Sequence, residues 1–116
     1  MKALIVDDEA DIGIMVSRFL NKSGVEAEYV TRIEAARKKI ASQNYQLYFL
    51  DLHLPDGTGF DLMDEIKAQE EEPNVIIISA YDGIEETRTA AEHGVKHFIK
   101  KPFSKSQVIE AVQDLA

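Results

Sequence analysis

Leu47-Tyr48-Phe49-Leu50-Asp51-Leu52-His53-Leu54-Pro55-Asp56-Gly57 carries four apolar residues straight into an acid, and then into a turn. Leu47 to Leu50 reads as a buried strand and Pro55-Asp56-Gly57 as the turn beyond it, so Asp51 stands at the strand's carboxyl end. The same kind of run recurs at Ala3 to Val6, Val25 to Val30, Val75 to Ile78 and Lys96 to Ile99, giving five candidate strands.

Segments of helical period lie between these runs. Ile12, Met15, Val16, Phe19 and Leu20 recur at the spacing of a helix with one buried face, and Gly24 follows as a stop. Thr31 with Glu34 gives a capping-box signal for a second helix through about Ser42, carrying Ala36 and Ile40. Phe60 to Glu70 reads as a third helix and Glu85 to Glu92, closed by Gly94, as a fourth. Ser104 with Gln107 opens a fifth, with Val108, Ile109, Val112 and Leu115 as its apolar stripe.

Five strand–helix repeats imply an α/β domain with an open parallel sheet, because parallel neighbours require crossovers of this length. Right-handed crossovers narrow the topology further. The doubly wound, flavodoxin-like (βα)5 order 2-1-3-4-5 suits five strands, and it places ligands at the carboxyl ends of strands 1 and 3. With 116 residues, a 45% hydrophobic fraction and no linker-like stretch, residues 1–116 are expected to form a single domain.

Composition excludes several functions. Thirteen Lys and Arg against 21 Asp and Glu give a net charge of −8, which disfavours direct binding of nucleic acid. The absence of cysteine removes disulfides, thiolate metal sites and thiol catalysis. The first apolar run meets Asp7 and Asp8 too soon to be a signal peptide or a membrane span, so no membrane association and a cytoplasmic location are expected.

The residues that follow the strands carry the chemistry. Strand 1 leads into Asp7, Asp8 and Glu9, strand 3 into Asp51, strand 4 into Ser79, and strand 5 into Lys100, Lys101 and Pro102. Thr31, after strand 2, falls away from this rim and reads as a helix cap. Converging carboxylates repel unless a cation or a proton intervenes, and all-oxygen ligation favours Mg2+. Asp51 could then attack phosphorus as a nucleophile, with a lysine and the Ser79 hydroxyl meeting the other phosphoryl oxygens.

In order and spacing, Leu4 to Glu9, Phe49 to Gly57, Val75 to Ala80 and Gly94 to Phe103 resemble the receiver domains of bacterial two-component response regulators, over essentially the whole chain. The resemblance implies that Asp51 is the phosphoacceptor and that Asp8 ligates Mg2+ directly. Asp7 would lie near the metal through water, and the His53 backbone carbonyl would be a ligand. It further implies that Ser79 is the switch hydroxyl, Phe98 the switch aromatic and Lys101 the phosphate-binding lysine, with a cis peptide before Pro102. A histidine kinase or histidine phosphotransfer protein would be the donor. A downstream protein or fused output domain would read the fourth helix, fifth strand and fifth helix, a surface that in this family also serves homodimers.

One departure, one residue pair and one surface qualify the match. Tyrosine is frequent where Phe98 stands, and phenylalanine has no hydroxyl to report its position. His53 and Tyr81, two residues beyond Asp51 and Ser79, are expected to slow loss of phosphate by obstructing water. Ile12 and Met15 offer a less buried patch for the phosphodonor. His53, His93 and His97 read as surface residues without metal spacing, and Glu70 to Glu72 as a solvated helix end.

Two other functions use similar parts. Phosphatases of the haloacid dehalogenase class also place a nucleophilic Asp after a strand, but need a second acid two residues later, where this chain has His53. A pseudo-receiver acting only as a binding module would lack an acid, the hydroxyl or the lysine, and none is missing. The expected protein is thus a signalling switch that catalyses only its own phosphoryl transfer and dephosphorylation.

Overall fold

A computed structural model describes residues 1–69, 72–80 and 83–115. The elements alternate as expected: β1 (Lys2–Val6), α1 (Ala10–Lys22), β2 (Glu26–Val30), α2 (Ile33–Ser42), β3 (Leu47–Asp51), α3 (Met63–Gln69), β4 (Asn74–Ser79), α4 (Ile84–Glu92), β5 (His97–Lys100) and α5 (Lys105–Asp114). A 3-10 turn, Gly59–Leu62, leads into α3. The predicted end of the third helix at Glu70, most of the Glu70 to Glu72 cluster, and Tyr81 lie outside the described residues.

The strands pair in parallel in the order β2-β1-β3-β4-β5, the order anticipated from the sequence. Strand periodicity sends alternate residues to opposite faces. Leu4, Val6, Tyr48, Leu50, Val75 and Ile77 pack under α2, α3 and α4, while Ala3, Ile5, Leu47, Phe49, Ile76 and Ile78 pack under α1 and α5. Both faces are covered, so the three central strands are apolar almost throughout and show no polar alternation.

Helix starts and stripes bring two corrections. Thr31 and Glu34 do not form a capping box: Arg32 occupies the N-cap of α2 without a side-chain cap, and Asp56 supplies the acceptor instead. Its two carboxylate oxygens accept the Ile33 and Glu34 N–H groups at 2.9 and 3.1 Å, satisfying donors that a helix start leaves open. The buried stripe of α1 is Gly13, Val16, Ser17 and Leu20, whereas Ile12, Met15 and Phe19 are only half-buried.

The Tyr29 ring explains the burial of Gly13. A Cβ there would lie 2.7 Å from Tyr29 Cδ2, so the smallest residue marks where β2 meets the helix. By contrast, the Ser104–Gln107 capping box of α5 is present, and Gly24 and Gly94 follow their helices at φ +87° and +78°.

Candidate functional site

Strand register assembles the rim. Val6 pairs with Leu50, Asp51 with Ile78, and Ser79 with Lys100, so Asp7, Asp51, Ser79 and Lys101 follow one another across the carboxyl ends of four neighbouring strands. Parity sorts them further: Asp51 continues the Leu47, Phe49 series on the α1–α5 face, and Asp7 continues that of Ala3 and Ile5. Ser79 has the parity of Val75 and Ile77, and Phe98 packs half-buried against that opposite face.

Carboxylate oxygens of Asp7, Asp8 and Asp51 lie within 4.8 Å of one another. Asp7 is 0% exposed and Asp51 4%, whereas Asp8 is exposed. Lys101 enters from beyond β5, where the Lys101–Pro102 peptide is cis. Its ammonium donates to Asp7 Oδ1 at 3.1 Å, Glu9 Oε1 at 3.1 Å and Asp51 Oδ2 at 3.3 Å. Its backbone N–H donates to the Ser79 carbonyl at 2.8 Å, tying the lysine to β4. The Glu9 and His53 N–H groups donate to Asp7 Oδ1 and Asp51 Oδ1 at 2.9 and 3.2 Å.

Electrostatics follow from this crowding. Burial, then repulsion from Asp7, pushes the Asp51 carboxyl up to about 7, with Lys101 opposing. Burial likewise raises Asp7. Desolvation works against the Lys101 charge, but its hydrogen bonds to Asp7 and Glu9 outweigh that, so its pKa is raised.

The donor set fits a hard cation. It is all oxygen, and Asp7 Oδ2 is buried without a directed hydrogen bond, although it lies in charge contact with the Lys101 ammonium at 2.9 Å. A buried carboxylate oxygen in that state is one that a cation, directly or through its water, can satisfy. An open cleft above the acids is lined by Asp8, Glu9, Asp51, His53, Ala80 and Lys101, and Ser79 lies fully buried at the end of β4.

Other residues singled out in the sequence fall elsewhere. His53 is exposed at the cleft, His93 stacks on Phe60 with centroids 5.1 Å apart, and His97 lies 3.6 Å from Asp114. Lys100 is exposed on β5. Among the described residues no helix is long and apolar enough to cross a membrane. Sequence reasoning gave no role to Glu9 or Asp56; their partners are distant in the chain, and only the acid types signalled them.

Comparison with known proteins places the chain and its fold in one family. The model of the response regulator receiver domain matches residues 3–113. The transcriptional regulatory protein CssR of Bacillus subtilis is 35% identical over 96% of this chain and 49% of its own length. A CheY-like receiver domain protein from Methanospirillum hungatei superposes with a TM-score of 0.91, covering 98% of this chain and 91% of that one, and at 24% identity it supports the fold. The response regulator TrrA of Thermotoga maritima, solved in complex with Mg2+-BeF, gives a TM-score of 0.85 at 27% identity over 99% and 98% of the two chains. The chain spans a quarter to a half of the length of the curated relatives it matches first. It belongs to the receiver domains of two-component response regulators, and so to a family of signalling switches.

Proposed function

We propose that residues 1–116 form one receiver domain whose phosphoacceptor is Asp51, phosphorylated in a Mg2+-dependent reaction. The observation that carries this reading is the placement of Asp51: buried at the end of β3, within 4.8 Å of Asp7 and Asp8 and 3.3 Å from the Lys101 ammonium. A carboxylate held among like charges and one cation is poised to gain when a phosphoryl group and a metal bring order to that charge.

Asp8, Asp51 and the His53 backbone carbonyl would hold the metal, with Asp7 reaching it through water. When bound, Mg2+ supplies neutralisation of the charge on the transferring group. Asp51 provides the attacking oxygen; a P–O bond forms as the P–N bond of a phosphohistidine breaks, and the departing imidazole takes up a proton. Lys101 binds one phosphoryl oxygen and the Ser79 hydroxyl donates to another. TrrA, which was solved with Mg2+-BeF, supports the metal.

The donor is a histidine kinase or a histidine phosphotransfer protein. Ser79 and Phe98 carry the change to the surface of α4, β5 and α5, which a partner or an output domain reads in the cytoplasm. The domain turns over no other substrate. Intact mass after incubation with acetyl phosphate tests the reading: one phosphoryl group is gained with Mg2+, none without it, and none by Asp51→Asn. Uptake by Asp51→Asn equal to wild type would place the acceptor elsewhere.

A further inference from the structure

An ammonium has three N–H donors, and three carboxylates take those of Lys101: Asp7, Glu9 and Asp51. The three are not equivalent. Asp7 is buried beneath the site and Asp51 is the reacting group, but the Glu9 side chain is 60% exposed.

Local folding does not account for where the Glu9 side chain lies. Its backbone fixes the start of α1: its carbonyl accepts the Ile12 and Gly13 N–H groups at 3.0 and 3.3 Å, and its own N–H donates to Asp7 Oδ1 at 2.9 Å. Glu9 occupies the N-cap, yet its carboxylate makes no capping hydrogen bond and reaches across 92 residues of sequence to Lys101.

We propose that Glu9 is a latch on Lys101, a positioning residue that occupies one ammonium donor until a phosphoryl oxygen takes its place. The inference rests on the receiver reading of Asp51 and Lys101. With all three donors engaged, one contact must be surrendered when a phosphoryl group arrives. Breaking the Asp7 pair would strand a buried charge, and Asp51 keeps its place beside Lys101 because it carries the incoming group, whereas a freed Glu9 carboxylate is hydrated at once. Glu9 is therefore the partner that lets go. No covalent bond to Glu9 forms or breaks; one ammonium–carboxylate hydrogen bond is exchanged for an ammonium–phosphoryl one. An exposed pair is worth little, so its release changes the equilibrium only about two- to fivefold.

A carboxylate near a phosphoryl dianion also repels it without touching Lys101, and two substitutions separate the effects. Glu9→Asp keeps the charge but is one methylene too short to maintain the contact. Asp11→Asn removes a charge from the first turn of α1 that makes no ion pair with Lys101. The full chain is titrated with beryllofluoride and Mg2+ for its Kd, and the Lys101 ammonium resonance is recorded in the metal-free chain.

Glu9→Gln and Glu9→Asp are both expected to tighten beryllofluoride binding about two- to fivefold and to shift the ammonium resonance. Asp11→Asn should do neither. If Glu9→Asp binds like wild type while Glu9→Gln binds more tightly, repulsion alone is at work and the latch is overturned. An ammonium resonance unmoved in both Glu9 variants overturns it as well. A wild-type chain that binds no beryllofluoride overturns the receiver reading and the latch together, whereas normal wild-type binding with unchanged Glu9 variants overturns only the latch.

Discussion

Gly59 backs directly onto the acceptor residue: a Cβ at position 59 would lie 2.3 Å from the Asp51 carbonyl oxygen and 3.2 Å from Leu50 Cβ. The obstacle is backbone at the end of a central strand, which cannot turn aside as a side-chain tip can. Gly59→Ala must therefore displace either β3 or the turn that begins at Gly59. The expected loss is about 2 kcal/mol of stability, together with weaker phosphorylation of Asp51. Denaturant unfolding and intact mass after acetyl phosphate check both, and an unchanged midpoint would mean that the turn has room to move. Gly13→Ala is the informative contrast, since its nearest obstacles are side-chain atoms, Tyr29 Cδ2, Cγ and Cβ at 2.7, 2.8 and 3.0 Å, rather than strand backbone, and it should cost less.

The raised pKa of Asp51 makes stability depend on pH in a definite direction. Its carboxyl moves from 3.8 in the ordinary range to about 7 in the fold, so the folded state holds its proton more tightly than the unfolded chain. The favourable contribution is complete below about pH 4 and is lost as pH rises through about 7. Metal-free Asp51→Asn should then exceed wild type by about 2 kcal/mol at pH 8, after allowance for water in the open cleft. The gap should close in acid. Thermal melts across pH in a chelator measure it, and a gap that widens toward pH 4 would contradict the sign.

The register that brings Asp7, Asp51, Ser79 and Lys101 to one rim was legible because each strand is an uninterrupted apolar run and each crossover has helical period. A buried parallel sheet leaves few alternatives to that pattern. What stayed hidden was non-local. Thr31 and Glu34 have capping-box spacing, but the acceptor at α2 comes from Asp56, 23 and 22 residues from the amides it serves. On α1, Val16 and Leu20 are buried and Ile12 and Phe19 pack half-buried against the core as their spacing implied, while Gly13 and Ser17, which carry no hydrophobic signal, join the buried face, Gly13 beneath Tyr29 of β2. Glu9 was placed on the rim with Asp7 and Asp8, but its contact with Lys101, 92 residues away, was not legible.

The cap from Asp56 links the turn after Asp51 to α2, and its removal should act on that helix first. Asp56→Ala leaves the Ile33 and Glu34 amides without their acceptor, so hydrogen exchange should quicken in the first turn of α2 ahead of α5. Asp56→Asn, which can still accept one bond, should fall between the two. Those backbone hydrogen bonds lower the Asp56 carboxyl from 3.8, so its contribution is present above that value and disappears as pH falls through the lower, folded value. Equal exchange in α2 and α5 of Asp56→Ala would show that the cap is not what holds the helix start.

Lys101 stands where a cation is needed whether or not a metal is present. Lys101→Met removes the ammonium that faces Asp7, Glu9 and Asp51, leaving Asp7 and Asp51 buried without that counter-charge. The metal-free variant should lose about 3 kcal/mol at pH 8, the cost typical of breaking a buried pair from one side. A divalent cation bound by the same acids would restore part of the missing charge, so saturating Mg2+ should raise the Tm of Lys101→Met by more than it raises that of wild type. Asp8→Ala, which removes an exposed acid from the cluster, should reduce the Mg2+ shift in either background. Melts with Mg2+ and with chelator decide the point: equal Mg2+ shifts in wild type and Lys101→Met would mean that the metal and the ammonium do not answer to the same carboxylates.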